Sequence, residues 1–291
     1  MRFGPVGGDP STSGPERGER PYPERVSTDI IDERLLGALH LRTLDRSGFD
    51  HDPAVEHVAF QAGTLDALMA GGYDGDATIG ELLAHGDLGV GTVQALGGEL
   101  VVLDGDAFLV DGDGAVRPVR ADERTPFAVV CRFAPLVRVR VAAPLRLRWL
   151  HELIDVHRPA LDGRPAEVLA LRVDGHFDGL RLRSVHAQRP PYPPLSEVTA
   201  HQSEWTLGPT SGTLVGFRFP DGTAGVEVPG DHLHFISDDR RHGGHVLDAT
   251  LLEGTVAIDG ADELHVELPD GVELGVPGAA DRDQIRAVEG G

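Results

Sequence analysis

From Glu99 onward nearly every apolar run is short, alternates with polar side chains and stops at Gly, Pro or an Asp-Gly pair. A period of two puts successive side chains on opposite faces, which marks strands that bury one face and excludes amphipathic helices. Asp-Gly supplies the positive φ that tight hairpins need. GELVVLDG, DAFLVDGDG and AVRPVR therefore read as a β-meander, with TPFAVVCRF and LVRVRVAA extending the same sheet. A second run begins at Glu167, where EVLALRVDG, GLRLRSVHA, GTLVGFRFP, AGVEVP, HLHFIS, GHVLDATLLEGTVAID and ELHVELP all alternate.

Helical spacing is confined to a few places. Ile31, Leu35, Leu36 and Leu39 recur at helical intervals behind Thr28 or Asp29. Thr64 to Met69 and Thr78 to His85 read as short helices, the second capped and ended by Gly86, and Pro144 to His157 as a helix linking the two runs of strands. Residues 1–27 are dense in Gly, Pro, Ser and charge, too poor in apolar surface to offset the entropy of ordering, and read as a disordered tail. The expected fold class is α+β: the tail over 1–27, an N-terminal β-rich domain with flanking helices over 28–145, and a C-terminal β-rich domain over 146–291. With 291 residues, 40% of them hydrophobic, the chain can fill two such cores.

Charge narrows the function. Basic residues number 26 against 47 acidic ones, a formal charge of −21 that repels a phosphate backbone, so no nucleic-acid partner is expected. Every basic residue is Arg, which excludes lysine Schiff bases and P-loop chemistry. Cys131 is the single cysteine. It can form no internal disulfide and no Cys-based zinc cluster, so the chain suits a reducing compartment and any metal must rest on His and carboxylates. The N-terminal residues lack the apolar core of an export signal, and no run of about 18 apolar residues exists, so the expected location is cytoplasmic, without a membrane partner.

GDHLHFISDDRRHGGHVLD, Gly230 to Asp248, concentrates histidines at 232, 234, 242 and 245. In a strand His232 and His234 face one way while Leu233 and Phe235 face the other. The turn signals in SDDRRHGG send the following strand back beside the first and return His245 toward the pair. Three neutral imidazoles suit Zn²⁺ at about 2.0–2.1 Å and leave a coordination position for a small-molecule substrate. An H-x-H in an acidic chain with 14 histidines is also a common surface pattern, and His242, inside the turn, reads as a solvated loop residue. Other candidates are Arg183, suited to fork onto a carboxylate, and the carboxylates Glu81, Glu99 and Glu289, which pattern alone does not rank.

GGYDGDATIGELLAHGDLGVGTVQALGGELVVLDG, TPFAVVCRF, RSVHAQRPPYPPL, GTLVGFRFP and VPGDHLHFISDDRRHGGHVLD occur in an order that resembles the acetolactate decarboxylases, bacterial enzymes that convert 2-acetolactate to acetoin and CO₂. The resemblance runs from about Val58 to the C-terminus. It implies His232, His234 and His245 as zinc ligands, Arg183 of the R-S-V segment as a substrate-site arginine, Glu99 of the G-E-L segment as an active-site carboxylate, and Glu289 of the V-E-G tail as a carboxylate brought to the metal. It also implies a homodimer, a metal site between the two β-rich domains, and a place in acetoin and 2,3-butanediol synthesis. Zn²⁺ would then replace the organic electron sinks for which the chain has no binding apparatus. Two alternatives remain open at this point: a cupin-like iron oxygenase, which also uses H-x-H on a strand but generally adds a Glu a few residues on, where SDDRR stands here, and a non-catalytic metal- or sugar-binding β protein.

Overall fold

The structure is a computed structural model that describes residues 40–44, 57–161, 163–223 and 225–268. The tail over 1–27, the helix expected around 28–39 and Glu289 lie outside the described residues. In chain order the first half contains β1 (His40–Leu44), β2 (Val58–Ala62), α1 (Leu65–Met69), β3 (Ala77–Thr78), α2 (Ile79–His85), β4 (Leu88–Thr92), β5 (Glu99–Leu103), β6 (Asp106–Val110), β7 (Val116–Pro118), β8 (Arg124–Thr125), β9 (Ala128–Cys131) and β10 (Val137–Val141). Then follow β11 (Leu145–Arg146), α3 (Leu147–Val156), β12 (Ala160–Leu161), β13 (Arg164–Pro165), β14 (Val168–Ser184), α4 (Leu195–Thr199), β15 (Ser203–Leu207), β16 (Thr210–Phe219), β17 (Gly230–Ser237), β18 (Gly243–Ala261) and β19 (Glu263–Glu267). The protein is mostly sheet with a few short helices, as the alternation requires.

Among the described residues, one sheet has eight strands in the order β1-β19-β2-β9-β4-β5-β6-β7, with β5, β6 and β7 forming the expected meander. A second has seven strands, and its four longest close on themselves: β14 pairs with β16 on one side and β18 on the other, β16 pairs with β17, and β17 pairs with β18. Membership of the sheets does not follow the chain. LVRVRVAA, expected to extend the first sheet, supplies β10, which instead pairs with β18. ELHVELP, expected among the later strands, supplies β19, which inserts in parallel between β1 and β2. Partner choice depends on residues far away in sequence, and periodicity cannot report it.

EVLALRVDG and GLRLRSVHA, read as two segments, are one strand, β14, with register shifts after His176, Asp178 and Arg181 and with Gly179 at φ +61. The turn-like Asp-Gly there makes a bulge within a continuous pairing to β18. Among the described residues AGVEVP supplies no strand, and its Pro229 makes an isolated bridge to Phe219.

The two sheets face each other over one core, with Ala59, Leu88, Val90, Val101 and Val129 from the first meeting Val168, Ala170, Val215, Phe217 and Ile236 from the second. The interior of the closed strands holds Leu171, Phe177, Leu214, Phe235, Val246 and Val256, sealed by Leu150 and Ile154 of α3. Fully burying such a side chain contributes about 1.5–3 kcal/mol. α2 begins as its sequence implies: the Thr78 hydroxyl accepts from Glu81 N–H at 3.2 Å, and the Glu81 carboxylate accepts from Thr78 N–H at 2.8 Å. That reciprocal cap accounts for Glu81 as a helix-start residue, away from the histidine segment.

Candidate metal centre

Leu233 and Phe235 of β17 point into the closed-strand core, so His232, His234 and Ile236 point the other way, toward the first sheet. The hairpin after Ser237 is tied by Ser237 N–H to the His242 carbonyl at 2.8 Å and by His242 N–H to the Ser237 hydroxyl at 3.0 Å. β18 then returns in a register that sets His245 directly opposite His234. Gly244, at φ +143, lets the strand turn this close, since a Cβ there would come 2.8 Å from the Arg183 carbonyl oxygen. His242 stays exposed in the turn and outside the cluster.

Each of the three histidines offers a nitrogen, and these atoms all lie within 4.8 Å of one another. His232 Nε2 and His234 Nε2 are 3.2 Å apart. All three side chains are buried, and His234 is 0% exposed. The Nδ1 of His234 is 2.7 Å from the Leu100 carbonyl oxygen. A carbonyl only accepts, so Nδ1 carries the hydrogen and Nε2 presents its lone pair. Burial, then the Arg183 charge, pushes the His232 pKa down to about 3. Burial, then the neighbouring His232, holds His234 well below the usual histidine range, against the raising effect of the Leu100 bond. Both rings are therefore neutral near pH 7.

The lone pair on His234 Nε2 thus faces His232 Nε2 at 3.2 Å and the Glu99 Oε2 at 3.3 Å. Such a gathering is stable only with a cation or a shared proton among the acceptors. The spacing fits a metal: two nitrogens at about 2.0–2.1 Å from one tetrahedral ion stand about 3.3 Å apart. His232 Nδ1 is buried without a hydrogen-bond partner among the described residues, which make no competing demand on that atom.

Glu99 opens β5 on the first sheet, immediately after Gly98, whose φ of +132 and approach to the Val110 carbonyl leave no room for a Cβ. Arg183, near the end of β14, lies opposite His245 in register and brings Nη1 to 3.7 Å from Glu99 Oε1. Both side chains are buried, Arg183 at 5% and Glu99 at 8% exposure. The structure therefore brings five of the sequence-nominated residues together, Arg183, Glu99, His232, His234 and His245, from four strands of two sheets. Beside them is a pocket walled by Leu65, Leu68, Leu96, Phe127, Leu195 and Val228. Thr92 also lines it, its hydroxyl donating to the Gly98 carbonyl at 2.7 Å. Sequence reasoning missed this wall because apolar residues of short helices and loops look like ordinary core. One wall residue is strained: Leu96 has φ +52 and Ala95 before it φ +62, a conformation costing about 1–2 kcal/mol per residue.

The family model for alpha-acetolactate decarboxylase matches residues 59–274. The chain belongs to this family. It is 44% identical over 215 residues to the alpha-acetolactate decarboxylase of Methylococcus capsulatus, covering 74% of this chain and 81% of that one. The corresponding figures for Raoultella terrigena are 39% identity over 219 residues, 75% and 82%. The X-ray crystal structure of alpha-acetolactate decarboxylase from Bacillus subtilis strain 168 matches with a TM-score of 0.75 at 32% identity, over 80% of this chain and 100% of that chain. Family membership bears out the resemblance read from the motifs, and it makes this chain an enzyme of the decarboxylase class and disfavours the oxygenase and non-catalytic readings. The matched region ends before Glu289.

Proposed function

We propose that the chain decarboxylates 2-acetolactate to acetoin and CO₂ with a Zn²⁺ held by His232, His234 and His245, as a cytoplasmic homodimer in acetoin and 2,3-butanediol synthesis. The observation that carries the metal reading is the convergence of neutral imidazole nitrogens, with two Nε2 atoms 3.2 Å apart and a carboxylate oxygen 3.3 Å from one of them. When bound, the ion supplies Lewis-acid charge that holds the electrons left behind as CO₂ departs.

The chain's own residues supply the rest. Arg183 sits beside Glu99 and lines the pocket, placed to receive the substrate carboxylate. A cation that bound the carboxylate equally throughout would oppose its conversion to neutral CO₂, so the work of Arg183 is orientation, turning the carboxylate out of the ketone plane. The new C–H bond needs a proton at the carbon that loses CO₂, and its delivery is assigned to Glu99 or Glu289. The apolar wall excludes water from the reacting carbon. A single buried cysteine, Cys131, accords with the cytoplasm, and no helix among the described residues is long and apolar enough to cross a membrane.

The test is direct: purified chain with racemic 2-acetolactate is expected to release acetoin and CO₂ in equal amounts. Loss of substrate at only the uncatalysed rate contradicts the proposal. Light scattering on the eluting protein, reading one chain or two, tests the dimer.

A further inference from the structure

The wall facing the imidazoles contains one residue held against the preference of its own backbone. Ala95, at φ +62 and ψ +25, and Leu96, at φ +52, are consecutive non-glycine residues in the left-handed region. Such conformers persist only where the surroundings over-determine them, and they cluster at functional sites. Here the Ala95 N–H donates to the Tyr73 carbonyl at 2.8 Å and the Ala95 carbonyl accepts from Gln188 N–H at 2.7 Å. Gly97 N–H donates back to the Val93 carbonyl at 3.2 Å. The Gln94 side-chain carbonyl accepts from Gly75 N–H at 2.7 Å. Its amide donates to Asp74, which also accepts from the Tyr192 hydroxyl at 3.0 Å. Two separate loops therefore pin the turn from outside.

Glycine would relax either position, and the chain uses glycine at the next two, Gly97 and Gly98. Position 96 keeps leucine instead. Its side chain is 4% exposed and lines the same pocket as Glu99, Arg183, His232 and His245. A side chain on a mobile loop would yield to a larger ligand, whereas one on an over-determined turn is a fixed stop.

We propose that Leu96 is a specificity-determining residue, a rigid stop against the alkyl substituent of a 2-hydroxy-3-oxo acid that admits a methyl group and rejects a longer chain. The substrate class rests on the decarboxylase reading above. One methylene in an apolar pocket is worth about 10–200-fold in discrimination, so wild type should favour 2-acetolactate over its ethyl homologue, 2-ethyl-2-hydroxy-3-oxobutanoate, by at least about tenfold in kcat/KM. Leu96→Ala and Leu96→Gly should bring that preference to within about twofold of parity, while Ala95→Gly, which relieves the strain but keeps the backbone hydrogen bonds to Tyr73 and Gln188 that hold the turn, leaves it unchanged. Should the two truncations fail to fold, Leu96→Met decides, since its volume is conserved and its unbranched chain can withdraw; the preference should fall at least about threefold.

Equal turnover of both acids by wild type, an unchanged preference in a folded Leu96 variant, or an equal loss in Ala95→Gly overturns the proposal. A wild-type chain that decarboxylates neither acid overturns the decarboxylase reading instead.

Discussion

His234 donates Nδ1–H to the Leu100 carbonyl at 2.7 Å, and this bond turns its Nε2 toward the Nε2 of His232. Leu100 belongs to the first sheet and His234 to the second, so the packing of the sheets fixes the tautomer of a proposed ligand. His234→Gln is expected to lower metal affinity by at least about 100-fold, read by metal analysis after dialysis, with kcat falling in proportion. Full metal content in the variant would remove His234 from the ligand set.

Arg183 and Glu99 are both buried and lie 3.7 Å apart. Arg183→Lys keeps the charge and loses the planar fork, so kcat/KM should fall on the order of 100-fold while bound metal stays at the wild-type level. Glu99→Gln should lower kcat by about 100-fold or more if Glu99 carries the proton, and undiminished turnover would leave that task to Glu289.

Immediately before His232, Asp231 is held by the Arg218 guanidinium at 2.7 and 2.8 Å. Arg218 also reaches Asp155 of α3, and His151 of the same helix lies 3.1 Å from Asp231. The Arg218 and Asp231 side chains are 10% and 8% exposed, so Arg218→Met takes the guanidinium from a buried carboxylate and leaves it His151, and should cost about 3–5 kcal/mol in urea unfolding. Adding Asp231→Leu should recover much of that loss; no recovery would mean that the arginine acts mainly through its packing.

Arg117 and Glu123 form a two-pronged pair at 2.9 and 2.7 Å, and the hydrogen bond from Arg117 lowers the Glu123 pKa. A carboxyl lowered in the folded state binds fewer protons there than in the unfolded chain, so its stabilisation is present above the unfolded pKa and lost as pH falls through the folded one. Glu123→Gln should therefore cost about 0.5–1 kcal/mol at pH 7, a modest figure because Arg117 is half exposed. The difference from wild type should fade below the ordinary glutamate pKa of about 4.3, and a difference that grew on acidification would contradict the assignment.

The parts of this molecule legible in its sequence are those decided by neighbours a few residues away. Thr78 with Glu81 announces α2, and the spacing of His232, His234 and His245 around a Gly-rich turn announces a strand pair that brings three imidazoles together. What depended on distant partners was hidden. Nothing in VRVRV tells that β10 leaves the first sheet for β18, and nothing in ELHVE tells that β19 returns to it. Arg183 and Glu99 could be nominated through the resemblance, but their 3.7 Å approach comes from two sheets packing face to face. The strained turn at Ala95 and Leu96 had no local sign, because its hydrogen bonds run to Tyr73 and Gln188.

Metal content measured together with turnover tests the central claim most directly. The purified chain should bind one Zn²⁺ per His232–His234–His245 cluster, lose acetoin formation when a chelator strips the ion, and regain it on adding Zn²⁺ back. Full activity in protein shown to be free of metal would contradict the account.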